Sequence, residues 1–487
     1  MRFNDQFAGA QMPPEIGIAD SPHRHNKKTE CQDGYENPAS CQERSHAWII
    51  NCIWDLQCVP VNHLTAGKMP AIRAGLNILK AQKLRRLLAL LLAAMLFLHL
   101  MLAWHSRDLV RKGYADFTIF YSAGKMVRMG LGPRLYDEAK QYDVQQEFAS
   151  GVIIRNGPLP YNHPPFEALV FVPFTFLPYF VAYLVWDFIN LLILLGLPIL
   201  LWPYIPILER ASPLAWLLSA LAFFPAFIDL LQGQDAIPLL LLFTMTFIAL
   251  KKNADFTAGC WLGLGLFRFH LLLPLLFIFA VQKKWRAILA FLSVALALAL
   301  ISIATVGWGE AVHYPDYVWH VEQVMGRGAI VPADMPNLRG LLDTFLKGLF
   351  SKTIITGIVI LASIGLLLFL AKLWNRTSTG MRLDLGFSAA VIVTVLVSYH
   401  AFAYDLLLLL LPILLLGQYT WSSGPARRPG FLVPALILFV SPIHMLLWFR
   451  YGQLNLMALL LLWWLWEISR ETLAGNLLAD EPYGSPR

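Results

Sequence analysis

The chain has 487 residues, of which 57% are hydrophobic and only 14% charged, with a formal net charge of +7. Soluble globular domains carry about 25% charged residues, so an ordinary soluble enzyme is excluded, and the basic excess sits in short clusters beside apolar runs, not on a face suited to nucleic acid. The apolar runs are continuous and leucine-rich, many of them near the roughly 20 residues that cross a bilayer; this excludes a β-barrel and predicts an all-α polytopic membrane protein.

Residues 1–68 are polar and lack helical periodicity. They read either as a disordered cytoplasmic tail or as an upstream extension of a protein that starts at Met69, which opens a basic lead (Arg73, Lys80, Lys83, Arg85, Arg86) into the first span; the second reading is preferred. Cys31, Cys41, Cys52 and Cys58 lie here without the close-paired spacing of a zinc site, and Cys260 reads as a small core residue.

Residues 69–470 form the membrane domain, and 471–487 a cytoplasmic tail. About twelve spans are expected: 87–104, 165–180, 181–202, 213–230, 236–250, 257–281, 285–306, 353–373, 385–399, 402–416, 431–449 and 454–468. Basic clusters mark cytoplasmic loops: Lys83, Arg85 and Arg86; Lys283, Lys284 and Arg286; Lys372 and Arg376; Arg427 and Arg428. Residues 105–163 and 307–350 then become long outer loops carrying short interfacial helices, and both termini are cytoplasmic. In the first loop, Phe117 to Phe148 is periodic and broken at Gly130-Leu131-Gly132-Pro133, which predicts two helices lying on the membrane surface. One loop conflicts: parity puts Lys251 and Lys252 outside, against the charge rule, unless the chain is re-entrant or broken near 264–271. The side of Gln232–Gln234 is equally open.

The candidate site residues fall at span edges. Asp116, just past the first span, can serve as a general base toward a water-borne hydroxyl or as the N-cap of the next helix. His163, before Pro164-Pro165 at the re-entry point, can contact a phosphate or be an interface residue. Gln234, in Gln232-Gly233-Gln234-Asp235, can bind a sugar or bond across helices; Tyr451-Gly452-Gln453-Leu454-Asn455 is a similar run. Arg268 and His270 interrupt an apolar stretch, where a cation faces a cavity, an anion or a buried partner. His400, Tyr404 and Asp405 flank a break between spans, and Asn337 and Arg339 stand among the polar residues of the second outer loop. There is no Walker loop, no G-x-S-x-G, no H-E-x-x-H and no dinucleotide fingerprint. Neither ATP, NAD nor zinc is expected.

Together, Asp116-Phe117 with Tyr121, Ala123 and Gly130, then Leu135-Tyr136-Asp137, His163-Pro164-Pro165-Phe166, Gln232-Gly233-Gln234, and His400 with Tyr404-Asp405, resemble the polyprenyl-phosphate-mannose-dependent mannosyltransferases of the C-type glycosyltransferase (GT-C) superfamily, over about residues 85 to 470. The resemblance implies a GT-C-like bundle in a bacterial inner membrane, with its active site on the extracytoplasmic side. It implies transfer of a sugar from a polyprenyl-phosphate donor, with inversion, to a glycolipid, polysaccharide or protein acceptor, Asp116 being the base. His163, Arg268, His270, Arg339 and His400 would bind the donor phosphate, and Gln234, Asn337, Tyr404 and Asp405 the sugar or acceptor. No cofactor and no divalent metal are expected. Arg268 stands where a lysine is expected. Mannose comes from the resemblance alone; arabinose or another sugar stays open. The rival reading is a lipid or solute transporter or flippase, which predicts inverted repeats.

Overall fold

A computed structural model describes residues 68–150, 158–206, 208, 212–324, 331–377, 382–422 and 429–478. The four N-terminal cysteines, the Arg427–Arg428 cluster and the tail beyond 478 lie outside the described residues. The described chain is helical and contains no strand, as the composition requires. Six of its helices are long and apolar enough to cross a membrane, or up to eight if each of two bent pairs is one span.

Helix α1 (Lys68–Arg111) carries the first apolar stretch and runs past its expected outer edge. The segment expected to form the first outer loop holds two helices, α2 (Phe117–Arg128) and α3 (Glu138–Ala149). They are separated by Gly130 at φ +73 and a 3-10 turn, Gly132–Arg134. The position of α2 differs from the expectation. Nine of its residues are buried, Phe117, Phe120 and Tyr121 among them, so it is packed into the protein instead of lying on a lipid surface.

Two departures from the predicted spans matter for the site. The first is residues 165–180, which do not cross. Helix α4 (Pro165–Phe171) gives way to a 3-10 turn, Val172–Phe176, and both ends stay beside α2. The Tyr121 hydroxyl donates to the Leu177 carbonyl at 2.8 Å, and Arg128 donates to the Thr175 carbonyl. A side chain on Gly124 would come within 2.8 Å of the Phe171 backbone. Pro165, Pro173 and Pro178 break this stretch into pieces too short to span.

The second departure is 257–281, which turns back on itself. Helices α5 (Tyr179–Leu201), α6 (Pro213–Leu221) with α7 (Phe224–Gln232), and α8 (Ala236–Lys251) lead to α9 (Asp255–Leu264). A 3-10 turn, Gly265–Arg268, joins α9 to α10 (Phe269–Val281), and α11 (Trp285–Val306) follows. Lys284 pairs with Asp255 at 2.5 Å, so α9 and α11 begin at the same end. They then run side by side in the same direction: Gly259 lies against the Ala287 carbonyl, and Gly263 against Val294. Helix α10 must therefore return from the far end. The run Asp255–Val281 is long and apolar enough to cross once, but these contacts make it a helical hairpin with Arg268 at its tip. Its base is closed by turns in which Asn253 and Lys283 take φ of 54 and 55.

Six to eight of the described helices, not twelve, are long and apolar enough to cross. With 165–180 not crossing and 257–281 turning back, every helix between 177 and 268 runs opposite to the expected direction. That removes the Lys251–Lys252 conflict. Lys251 pairs with Asp384 at 2.5 Å, and Gln282 bonds Asn375, so these loops share one end with the basic clusters. Of the two explanations left open by the sequence, the broken helix is the one observed.

The segment expected to form the second outer loop contains α12 (Trp308–Val324) and α13 (Leu338–Leu346). Then come α14 (Lys352–Trp374), α15 (Arg382–Val397), the break 398–404, and α16 (Leu410–Ser422) entered through a 3-10 turn, Asp405–Leu409. Helices α17 (Leu432–Phe439) and α18 (Ser441–Met445) belong to a pair bent by 69°, and α19 (Met457–Leu478) ends the described chain. Phe243, Phe247, Phe387 and Trp464 fill the main core. A second core of Phe117, Phe120, Phe171, Tyr179, Tyr183 and Trp186 ties the first outer loop to α4 and α5. Cys260 is only partly buried.

Candidate active site

The polar residues meet at the end of the bundle opposite Lys251. Asp116 is at the N-cap position of α2, yet its side chain makes no cap bond. Its backbone N–H donates to Gln232 Oε1 at 3.1 Å, and its Oδ2 accepts from Gln234 Nε2 at 2.8 Å. The 232–234 turn can wrap Asp116 because Gly233 sits at φ +63, and a Cβ there would meet Phe117 Cβ at 2.8 Å. The left-handed backbone and the close approach both demand glycine.

Gln234 faces two ways. Its Oε1 accepts from Arg268 Nη2 at 2.5 Å, while its Nε2 serves Asp116. A carboxylate only accepts and a guanidinium only donates, which fixes the amide orientation. Arg268, buried at the hairpin tip, also donates through Nε to Asp235 Oδ1 at 2.7 Å and lies 3.7 Å from Asp405 Oδ1. Its guanidinium carbon is 5.2 Å from the Tyr404 ring centre, a cation–π contact. The Phe402 N–H donates to Asp405 Oδ2 at 2.8 Å and holds that carboxylate in place.

His163 stands on the other side of Asp235. Its Nδ1 is 2.8 Å from Glu167 Oε2 and 3.8 Å from Asp235 Oδ2. Its ring packs edge-on to Phe120 at 4.9 Å, and its carbonyl accepts from the Tyr136 hydroxyl. Burial first, and the Arg268 charge second, lower its pKa to about 4, so the ring is neutral at neutral pH. Burial pushes the Asp235 carboxyl up, but Arg268 and then His163 outweigh it and hold that carboxyl below its ordinary range. Burial and the Asp235 charge push the Glu167 carboxyl well above its ordinary range. His163, Glu167 and Asp235 are all buried and offer ligand atoms within 4.8 Å of one another.

The structure thus joins Asp116, Gln234, Arg268, Tyr404, Asp405 and His163 into one connected network. His270 follows Arg268, and its ring centre is 6.2 Å from that of His400; its Nε2 is buried without a hydrogen-bond partner among the described residues. Arg339 and Asn337 serve the chain break beside His400. Arg339 donates to the Tyr399 carbonyl at 3.0 Å and stacks on that ring at 3.9 Å. Asn337 is buried; its Oδ1 caps α13 through Gly340 and its Nδ2 donates to the Ser398 carbonyl at 2.8 Å. Its amide is thereby engaged in structure. Asp235 and Glu167 were not selected from sequence. Asp235 adjoins Gln234 in a run already picked out. Glu167 sits four residues after His163 across a helix start, a spacing that brings side chains together.

Residues 161–399 match the family model of glycosyltransferase family 87. The matched stretch contains His163, Gln234, Arg268, His270, Asn337 and Arg339, while Asp116, His400, Tyr404 and Asp405 lie outside it. No curated protein and no solved structure gives a significant match. The match and the apolar helices together support a membrane glycosyltransferase similar to family 87.

Proposed function

We propose that the protein transfers a sugar, mannose, from a polyprenyl-phosphate donor to an acceptor hydroxyl with inversion, in a bacterial inner membrane. The observation that carries this reading is the Asp116–Gln234–Arg268 chain of contacts. A carboxylate oriented by the Gln234 amide, partly exposed at the wet end of the bundle, is placed to take a proton from an incoming hydroxyl. Asp116 takes the hydroxyl proton as the oxygen bonds to C1, and the C1–O bond to phosphate breaks with its electrons going to the phosphate. The acceptor is a glycolipid, polysaccharide or protein reached from the extracytoplasmic side, and both termini are cytoplasmic.

Arg268 is engaged by Asp235 and Gln234. Its part in this reading is to fix Gln234, and through it Asp116. Arg suits that part better than Lys, because its planar fork serves two acceptors at once. Contact with the departing phosphate falls to His270, His400 and Arg339 around the 398–400 break. The transporter alternative gains no support from the family match.

The test is to incubate the purified protein with a panel of short-chain polyprenyl-phosphate sugars and membrane acceptors. Release of polyprenyl phosphate with transfer of one sugar, mannose in this reading, is the expected result. Binding of the lipid without release from any donor would refute it.

A further inference from the structure

We propose that His163, Glu167 and Asp235 form a binding site for one divalent ion of the first transition row. The site is assembled from the loop before α4, from α4 itself and from the turn before α8, so it exists only in the folded protein. The three side chains are 9%, 5% and 4% exposed. The Asp235 carboxylate is buried against the Glu167 carboxyl, within hydrogen-bond reach of it, and its Oδ2 lies 3.8 Å from His163 Nδ1. Two buried carboxylates side by side need either a shared proton or a cation between them, and with His163 they offer three ligand atoms within 4.8 Å of one another.

Charge points the same way. Arg268 is the cation in direct contact, and it is shared between Asp235 Oδ1 and Asp405. That leaves Glu167 facing His163 and the Asp235 carboxyl. Arg268 occupies one oxygen of Asp235 and leaves the other outward, an arrangement in which a ligating carboxylate is itself hydrogen-bonded from behind.

The geometry needs little change. Ligand bonds of about 2.0–2.1 Å in a tetrahedral site put ligand atoms roughly 3.3 Å apart. The observed separations from His163 Nδ1 are 2.8 Å and 3.8 Å, which bracket that value. One nitrogen and two carboxylate oxygens suit manganese or zinc better than calcium or magnesium, which prefer oxygen alone. Three protein ligands leave a position open for water or a phosphate oxygen. Only the ion's role rests on the transferase reading: beside Arg268 it would add positive charge near a departing phosphate. Its presence does not.

The full chain, purified in detergent, is stripped with chelator and dialysed against Mn²⁺ or Zn²⁺, and bound metal is counted by mass spectrometry. About one ion per chain is expected, with a rise in Tm on loading. Glu167→Gln keeps the shape and an acceptor for His163, and Asp235→Asn keeps the shape and an acceptor for Arg268. Each should weaken binding by about 10-fold or more and abolish the rise in Tm, while unloaded Tm confirms folding. No metal above blank overturns the proposal; the carboxylates would then share a proton instead. Undiminished binding in a folded Glu167→Gln also overturns it, since the ion would sit elsewhere. The measurement needs no donor, so its failure is distinct from failure of the transferase reading.

Discussion

At the scale of single residues, the site depends on one amide. Gln234 joins the carboxylate that must be basic to the guanidinium that must stay put. Gln234→Leu removes both bonds, and turnover should fall about 10- to 100-fold, the cost of roughly 1.4–2.7 kcal/mol at the transition state. The effect should appear in kcat more than in KM, since the amide acts through Asp116. Arg268→Met belongs to another class. It leaves Asp235 and Asp405 buried without their cation, and breaking a buried pair costs about 3–5 kcal/mol. Thermal unfolding in detergent should show a large fall in Tm; an unchanged Tm would mean these carboxylates do not depend on Arg268. Asp116 stood out in the sequence as a carboxylate at a span edge, but the same position suits a helix N-cap, so the sequence alone left its part open. Arg268 was legible because a cation in an apolar run is costly. Asp235 and Glu167 were not, because their significance depends on a contact between stretches nearly 70 positions apart.

At the scale of elements, the sequence read helix well and direction poorly. An apolar run of 27 residues is long enough to be one tilted span, and nothing local marks Gly265–Arg268 as a point of return. The clue lay outside the run, in the misplaced Lys251 and Lys252. The opposite error, reading 165–180 as a span, arose because a buried helix at the edge of a membrane protein is as apolar as a crossing one. Its three prolines were the signal that it is broken. The hairpin needs its glycines. A Cβ on Gly259 would fall 2.0 Å from the Ala287 carbonyl, so Gly259→Val must push α9 from α11, at about 1–3 kcal/mol or more. Because α9 leads into the turn that carries Arg268, this variant should lose stability and activity together. Gly357, with open space around its Cβ position, is the control, and Gly357→Ala should be silent in both assays.

At the scale of the whole molecule, the reversal of α5 to α9 is what brings Gln234 to Asp116. With the orientation read from the sequence, the two would lie at opposite ends of the bundle. A membrane-impermeant thiol reagent can test this in a cysteine-free background. Cysteine introduced by Lys252→Cys should react from the same side as that from Arg286→Cys, and from the side opposite to Met129→Cys. Reaction of the Lys252 and Met129 positions from one side would restore the first topology and separate the site. The class of the fold needed only composition. Its sense through the membrane needed contacts such as Lys284 with Asp255, which no periodicity reports.

The most direct measurement is transfer from a polyprenyl-phosphate sugar by the purified protein and by Asp116→Asn, compared at equal folded concentration. The asparagine keeps the size of the side chain and cannot take a proton. Release of polyprenyl phosphate should fall by 10²-fold or more, as expected when a general base is removed, with Tm unchanged. A folded Asp116→Asn protein that still transfers at the wild-type rate would contradict the account, and the base would have to be sought elsewhere.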